Sequence, residues 1–229
     1  MQAQALTNTH GAVVAADREK EKAVFFKHAK RFVADPSRGG LSRVQYIPDY
    51  GLVVCNGYLL IRWEVGGPKI PVQFLPDGTE VKNPLAYPDA PKVFKDHQRN
   101  AIAKMWVDVA EWIEAHKAAV AITKAAGDKK HHEVTLRNQP DNGEWWTLEL
   151  KYKQYSLTVD HLNVNNFDIP KGFVIRYNAE YMLHLFQLIK DLEGKGTVEI
   201  SVCPDPNSRW AMVISRGNLK ALLMPIFQR

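Results

Sequence analysis

Cysteine is scarce in this sequence, and long apolar runs are missing from it. Two cysteines, Cys55 and Cys203, occur in 229 residues. Both sit in strand-like apolar patterns far apart in the chain, so reduced core residues are expected rather than a disulfide framework. No stretch approaches the roughly 18 apolar residues of a membrane span, and no membrane partner is expected. The opening MQAQALTNTHGAVV has neither the basic start nor the apolar run of a secretion signal, which makes the cytoplasm the expected location. A Gly-x4-Gly-Lys-Ser/Thr phosphate loop and an HExxH pair are also missing. No Cys/His pair has the spacing of a metal site or of an activated nucleophile. Gly194-Lys195-Gly196 reads as a helix stop, and His131-His132 as a solvated loop end entering a strand. These absences disfavour an enzyme: no catalytic residue, no metal and no cofactor is expected.

The remaining composition is that of an ordinary globular chain, with 45% hydrophobic and 24% charged residues. Its length allows one large domain or two small ones and a core that needs no covalent staples. The formal net charge is +5. That sign suits a polyanionic partner, although a basic solvated surface would give the same total.

The most informative stretch runs from Phe173 to Phe227. A short strand, Phe173–Tyr177, precedes Asn178, a good N-cap. Tyr181, Met182, Leu185, Leu188, Ile189 and Leu192 then recur at helical spacing until Gly194 and Gly196. Val198, Ile200 and Val202 alternate with polar residues, as do Trp210, Met212 and Ile214 after a Pro-Asp-Pro-Asn turn. A last apolar strand includes Leu222-Leu223-Met224-Pro225-Ile226. The unit is β-α-β-β-β. A similar order occurs twice more. Near residues 12–66, a possible strand at Gly11–Ala16 precedes a helix over Arg18–Ala34 with Phe25, Phe26, Ala29, Phe32 and Val33 on one face. The strands Val44–Ile47, Leu52–Cys55 and Leu59–Val65 follow, the last two joined by Asn56-Gly57, a strong hairpin signal. Near residues 92–162, the periodicity predicts a long helix over Arg99–Ala126, with Ile102, Met105, Val109, Trp112, Ile113, His116 and Val120 as its stripe. Alternating strands around His132–Leu136, Trp146–Tyr152 and Tyr155–Val159 come next. Alternation favours Trp146 as a core residue over a base-stacking role for Trp145-Trp146. Between the first two units, Gly66–Pro91 reads as a linker with a short hairpin around Val72–Val81.

The order and the motifs of these units resemble the bacterial sliding clamp, the β subunit of the replicative DNA polymerase. Leu222-Leu223-Met224-Pro225-Ile226 is similar to the family's terminal V-V-M-P-M/I strand. Tyr177-Asn178-Ala179-Glu180-Tyr181-Met182 resembles its F-N-x-x-Y-L helix start. Cys55-Asn56-Gly57-Tyr58-Leu59-Leu60 stands where the family has T-D-G-H-R-L, and Tyr87-Pro88-Asp89-Ala90-Pro91-Lys92-Val93 where it has F-P-D-x-x-R/K-V. Tyr58, Leu59 and Phe227 depart from the family's polar or basic residues, so a more apolar groove is expected.

The resemblance implies an α+β, DNA-clamp-like fold of repeated β-α-β-β-β units, with antiparallel sheets and helices on one face. It implies a reduced N-terminal unit plus linker over 1–86 and a complete clamp-like domain over 87–229. It also implies a groove for clamp-binding peptides lined by Cys55, Gly57, Tyr58, Leu59, Leu60, Pro88, Lys92, Val93, Leu222, Met224, Pro225 and Ile226. Plain core packing is the other role that residues of these types could have at these positions. Lys20, Lys27, Lys30, Arg31, Lys104 and Lys117 are the helix cations expected to face duplex DNA without reading its sequence. The implied function is that of a short, phage- or mobile-element-like processivity factor. It would form a homo-oligomeric ring around double-stranded DNA and tether a DNA polymerase or other clamp-binding proteins. The alternative is a clamp-fold protein that captures such peptides or a replication partner without encircling DNA.

Overall fold

The computed structural model describes residues 18–98, 101, 103–127, 132–138, 146–162, 164–167, 173–204 and 210–226. The strand expected at Gly11–Ala16, Trp145, and Phe227 lie outside them. The first element is a helix, α1 (18–29), followed by a 3-10 helix, Pro36–Ser42. Three strands come next: β1 (Val44–Ile47), β2 (Gly51–Cys55) and β3 (Leu59–Trp63). A small hairpin, β4 (Val72–Phe74) and β5 (Glu80–Val81), precedes a short helix, α2 (Ala90–Gln98). The second unit comprises β6 (Ala103–Asp108), α3 (Val109–Ala125), β7 (Glu133–Asn138), β8 (Trp146–Tyr152) and β9 (Tyr155–Leu162), followed by β10 (Val164–Phe167). The third is β11 (Val174–Asn178), α4 (Ala179–Glu193), β12 (Thr197–Pro204), β13 (Trp210–Arg216) and β14 (Leu219–Leu223).

The helix starts follow from local chemistry. The Asp108 carboxylate accepts the Ala110 and Glu111 N–H groups, and the Asn178 side-chain oxygen accepts those of Glu180 and Tyr181. Gly194, with φ of 74°, stops α4 where a side chain would be strained. The expected helix over Arg99–Ala126 requires correction. Within that span Ala103–Asp108 form the strand β6, and the helix begins only at Val109, while Arg99 and Ile102 lie outside the described residues. Met105 falls on the helical spacing of Val109 and Trp112 and also alternates with Val107 across a pleat. The pattern therefore fits both periods, and pairing with β12 and β10 decides it. Helix α1 is likewise shorter than expected, because the chain turns at residues 30–33 before Asp35 caps the 3-10 helix.

The strands form two antiparallel sheets. Ten strands run in the order β10-β6-β12-β13-β14-β3-β2-β1-β4-β5, and four run β11-β7-β8-β9. Within the second and third units, first strands are exchanged: β6 pairs with β12, and β11 pairs with β7. The seam between β14 and β3 joins the third unit to the first, with Leu222 opposite Leu60 and Leu223 opposite Leu59.

The main core lies between α1, α3 and α4 and one face of each sheet. It includes Phe25, Phe32, Trp63, Met105, Trp112, Leu148, Tyr177, Phe186 and Ile214. Trp146 is fully buried in it, as its alternation indicates. His132 is buried as well, against Thr123 Oγ1 and near Glu180, which corrects the solvated-loop reading. His116 accepts a 2.9 Å hydrogen bond from the Tyr177 hydroxyl at Nε2, because its Nδ1–H must donate to the Trp112 carbonyl. Burial pushes its pKa down to about 4, so it is neutral at physiological pH. Cys55 and Cys203 are both buried and free. Four strand intervals separate β2 from β12, about 19 Å, far beyond disulfide reach.

Candidate functional site

A second, smaller apolar cluster lies on the opposite face of the ten-stranded sheet. It contains Val53, Cys55, Leu60, Ala90, Phe94, Cys203, Ala211, Val213 and Leu222. Leu41, Ile47, Tyr50, Tyr87, Val93 and Met224 pack against it, partly exposed. Three segments distant in sequence meet here: the β2–β3 hairpin, the link leading into α2, and the end of β14.

Each segment has a local reason for its shape. In the hairpin, the Asn56 side-chain oxygen accepts the Tyr58 and Leu59 N–H groups at 2.9 and 2.8 Å. Gly57 takes φ of 94°, which a side chain would resist. In the link, Asp89 accepts the Lys92 N–H and Pro91 stands in the first turn, so α2 starts where the sequence has Pro-Asp-Ala-Pro. The Tyr87 hydroxyl donates to the Val53 carbonyl at 3.3 Å, which ties the link to the sheet. After β14, the Met224 N–H donates to the Tyr58 carbonyl at 2.9 Å and holds the chain end against the hairpin. Burial raises both thiols, Cys203 to about 11, so they remain protonated apolar groups.

Of the residues expected to line a groove, Cys55, Leu60, Val93, Leu222 and Met224 share this cluster. Leu60 and Leu222 are nearly covered, and Met224 and Val93 are half-buried. Gly57, Pro88 and Lys92 are exposed around it, as is Tyr58, whose ring stacks on Tyr181 with centroids 6.4 Å apart. Leu59 is different: strand alternation turns it into the main core beside Leu223. Pro225 is buried, and the Ile226 N–H donates to the Arg176 carbonyl on β11, so the chain turns towards the four-stranded sheet there. Tyr87, Phe94 and Tyr181 belong to this neighbourhood too. The first two flank the Pro-Asp motif, which is a signal readable in the sequence.

The candidate cations divide. Lys20, Lys27, Lys30 and Arg31 are exposed on or just beyond α1. Arg31 Nη1 donates to Gln187 Oε1 on α4 at 2.9 Å. Lys117 is exposed on α3 and pairs with Glu114 at 2.7 Å. Lys104 does not belong with them. It lies on the strand β6, opposite in alternation to Met105 and Val107, and pairs with Glu199 at 3.0 Å. It therefore sits on the sheet face turned away from α3 and α4, the face on which α2 packs.

No protein-family model and no curated protein sequence matches the chain. Solved structures do. A DNA polymerase sliding clamp from Pseudomonas aeruginosa superposes with a TM-score of 0.70 at 12% identity, covering 92% of this chain and 65% of that one. The beta sliding clamp of C. crescentus gives 0.69 at 16% identity, covering 91% and 64%. The DNA polymerase III beta subunit of Thermotoga maritima gives 0.64 at 14% identity, covering 94% and 64%. This chain has the fold of the bacterial DNA sliding clamp. It spans less than two thirds of the length of these clamps. Within the clamp fold, the exchanged strands of the second and third units and the β14–β3 seam are what bring the hairpin, the link and the chain end together.

Proposed function

We propose that this protein is a non-enzymatic, clamp-type processivity factor that holds a DNA polymerase, or another protein with a clamp-binding peptide, at double-stranded DNA. The supporting observation is the convergence of the hairpin 55–60, the link 87–93 and the stretch 219–226 on one apolar cluster in a chain of clamp fold. Half-buried Met224 is suited to repacking around different apolar anchors. A tethered polymerase gains effective concentration at the primer end without any new catalytic group. In this reading residues 87–229 are the complete clamp-like domain, residues 1–86 a reduced one, and several copies close a cytoplasmic ring. The exposed cations Lys20, Lys27, Lys30, Arg31 and Lys117 would face phosphates rather than bases.

A second reading has its own support. Helix α4 carries Glu180, Asp191 and Glu193, and α3 carries Glu111 and Glu114, so the helix layer is of mixed sign. A clamp-fold protein that binds peptides without encircling DNA would tolerate that better. Retention on closed-circular against linear duplex separates the two. A ring persists on the circle at salt that strips simple phosphate contacts and slides off linear ends. Equal loss from both, together with a monomeric mass in solution, selects the second reading.

A further inference from the structure

We propose that the four-stranded sheet carries, on the face turned away from the main core, a binding site for a small phosphate monoester that also bears hydroxyl groups. A phosphorylated sugar has that size and chemistry. The site lies on a different sheet from the apolar cluster, so the inference stands apart from the groove reading and from ring closure.

Strand register makes the recess. Val134 and Leu136 on β7 point into the main core, so Glu133, Thr135 and Arg137 point outward. Across the ladders, Thr135 stands opposite Arg176 on β11 and Glu149 on β8. Along its own strand, its neighbours on this face are Glu133 and Arg137. One short side chain therefore sits among four long ones. It forms the floor, and they form the walls of a trough of about 400 Å3 that Lys151 also lines. Cross-strand neighbours lie about 5 Å apart and diagonal ones about 7 Å, so the guanidiniums of Arg137 and Arg176 can both close on one group above Thr135.

The charges in this trough match one another incompletely. Arg137 Nη2 is 3.6 Å from Glu149 Oε2, and Arg176 Nε is 3.9 Å from Glu133 Oε1, both beyond hydrogen-bond range. Among the described residues, neither guanidinium donates a hydrogen bond, and Lys151 and the Thr135 hydroxyl have no polar partner. Three cations face two carboxylates, which leaves one positive charge. Guanidiniums offer planar, paired donors that match phosphate oxygens, and Lys151 adds a point charge. The carboxylates set the rest of the ligand. Ionised Glu133 and Glu149 only accept hydrogen bonds, so a bare anion would face them unfavourably, whereas hydroxyl groups would donate to them. The volume of the trough admits a molecule of sugar-phosphate size.

The test is isothermal titration calorimetry on the full-length protein with ribose 5-phosphate, ribose and inorganic phosphate. Ribose 5-phosphate should bind saturably and more tightly than inorganic phosphate, and ribose should not bind. Arg137→Gln and Arg176→Gln should each weaken ribose 5-phosphate about tenfold. Glu149→Ala should remove the preference for ribose 5-phosphate over inorganic phosphate. Lys95→Gln, which changes an exposed cation on α2, should leave both affinities as they are. Absence of saturable ribose 5-phosphate binding by the wild type, or unchanged affinity in either folded arginine variant, overturns the site. Equal affinity of the wild type for ribose 5-phosphate and inorganic phosphate overturns the ligand class. A duplex oligonucleotide that displaces ribose 5-phosphate, and that binds both arginine variants more weakly, would assign the face to nucleic-acid phosphates and overturn the small-ligand assignment. Should one arginine variant not fold by circular dichroism, the other decides.

Discussion

In the C-terminal pair of units, each lends its first strand to the other's sheet, β6 to β12 and β11 to β7. Their helices pack side by side, with Trp112 on α3 tilted against Phe186 on α4, ring centroids 6.1 Å apart. The N-terminal unit has no such partner within residues 18–63. Its β1 pairs with β4 of a three-residue hairpin strand where β7 has β11. Its helix leans on its own sheet, where Phe25 stacks on Trp63 at 5.5 Å, and on α4, where His28 Nε2 meets Asp191 at 2.9 Å. It is tied to the third unit also by the β3–β14 seam and by the contacts of Tyr58 with Tyr181 and Met224. The same β-α-β-β-β pattern can thus be completed by exchange within a pair or by docking onto a finished pair. Among the described residues, docking leaves one sheet edge and one helix flank to the small hairpin β4–β5.

The sharpest way to break this comparison is to separate the two regions. Residues 87–229 expressed alone should fold, with cooperative thermal unfolding by circular dichroism and a lower midpoint than the whole chain. Residues 1–86 alone should show no cooperative transition, because β14 and α4, which help to cover their core, belong to the other unit. A cooperative melt for 1–86 would show that the single unit is self-sufficient.

Core truncations come next in size. Trp112→Ala empties the interface between paired helices and should cost about 4 kcal/mol in global unfolding by denaturant titration. Phe25→Ala should cost about 3 kcal/mol. Its effect should be local: hydrogen exchange should rise in β1–β3 before it rises in β12–β14. Uniform acceleration across both regions would mean that they unfold as one.

Acid should weaken the pair through its buried histidine. His116 has a folded pKa of about 4, below the ordinary value of 6.5, so the unfolded chain binds the proton first. Its contribution is complete above about pH 6.5 and is lost as pH falls towards about 4, an amount on the order of 3 kcal/mol. His184 is likewise lowered to about 4 and adds in the same direction. In His116→Gln, the decline in unfolding free energy between these pH values should be shallower than in the wild type. An unchanged slope would assign the acid sensitivity elsewhere.

The smallest effect concerns the exposed tie between α1 and α4. Arg31→Ala removes the hydrogen bond to Gln187 and should change stability by less than about 1 kcal/mol, since both ends are in solvent. A larger loss of thermal midpoint would make this contact part of what holds the single unit in place. With the fold intact, the same variant reports on the contribution of Arg31 to DNA retention.

Much of the architecture is legible in the sequence because it rests on short-range physics. Asn178 before an amphipathic run, Asn56-Gly57 between apolar strands, and Pro-Asp before Val93 each specify a local shape through hydrogen bonds and allowed dihedrals. Alternation alone assigns Trp146 and Leu148 to a core, and it turns Leu59 and Leu60 to opposite faces of one strand. The stretch from Ala103 to Asp108 was not decidable in this way. Met105 suits a helical stripe and a pleated one, and only the long-range partners β12 and β10 make it a strand, carrying Lys104 to the sheet face away from α3 and α4. That Cys55, Val93 and Met224 share a cluster follows from no local pattern and was implied only by the family resemblance; that Arg38 stands by Gly57 was decided by tertiary structure alone. Those neighbours are joined across the β14–β3 seam and by the link crossing Gly40. Such contacts depend on how distant strands pair and how closely backbones approach, and local sequence carries no term for either.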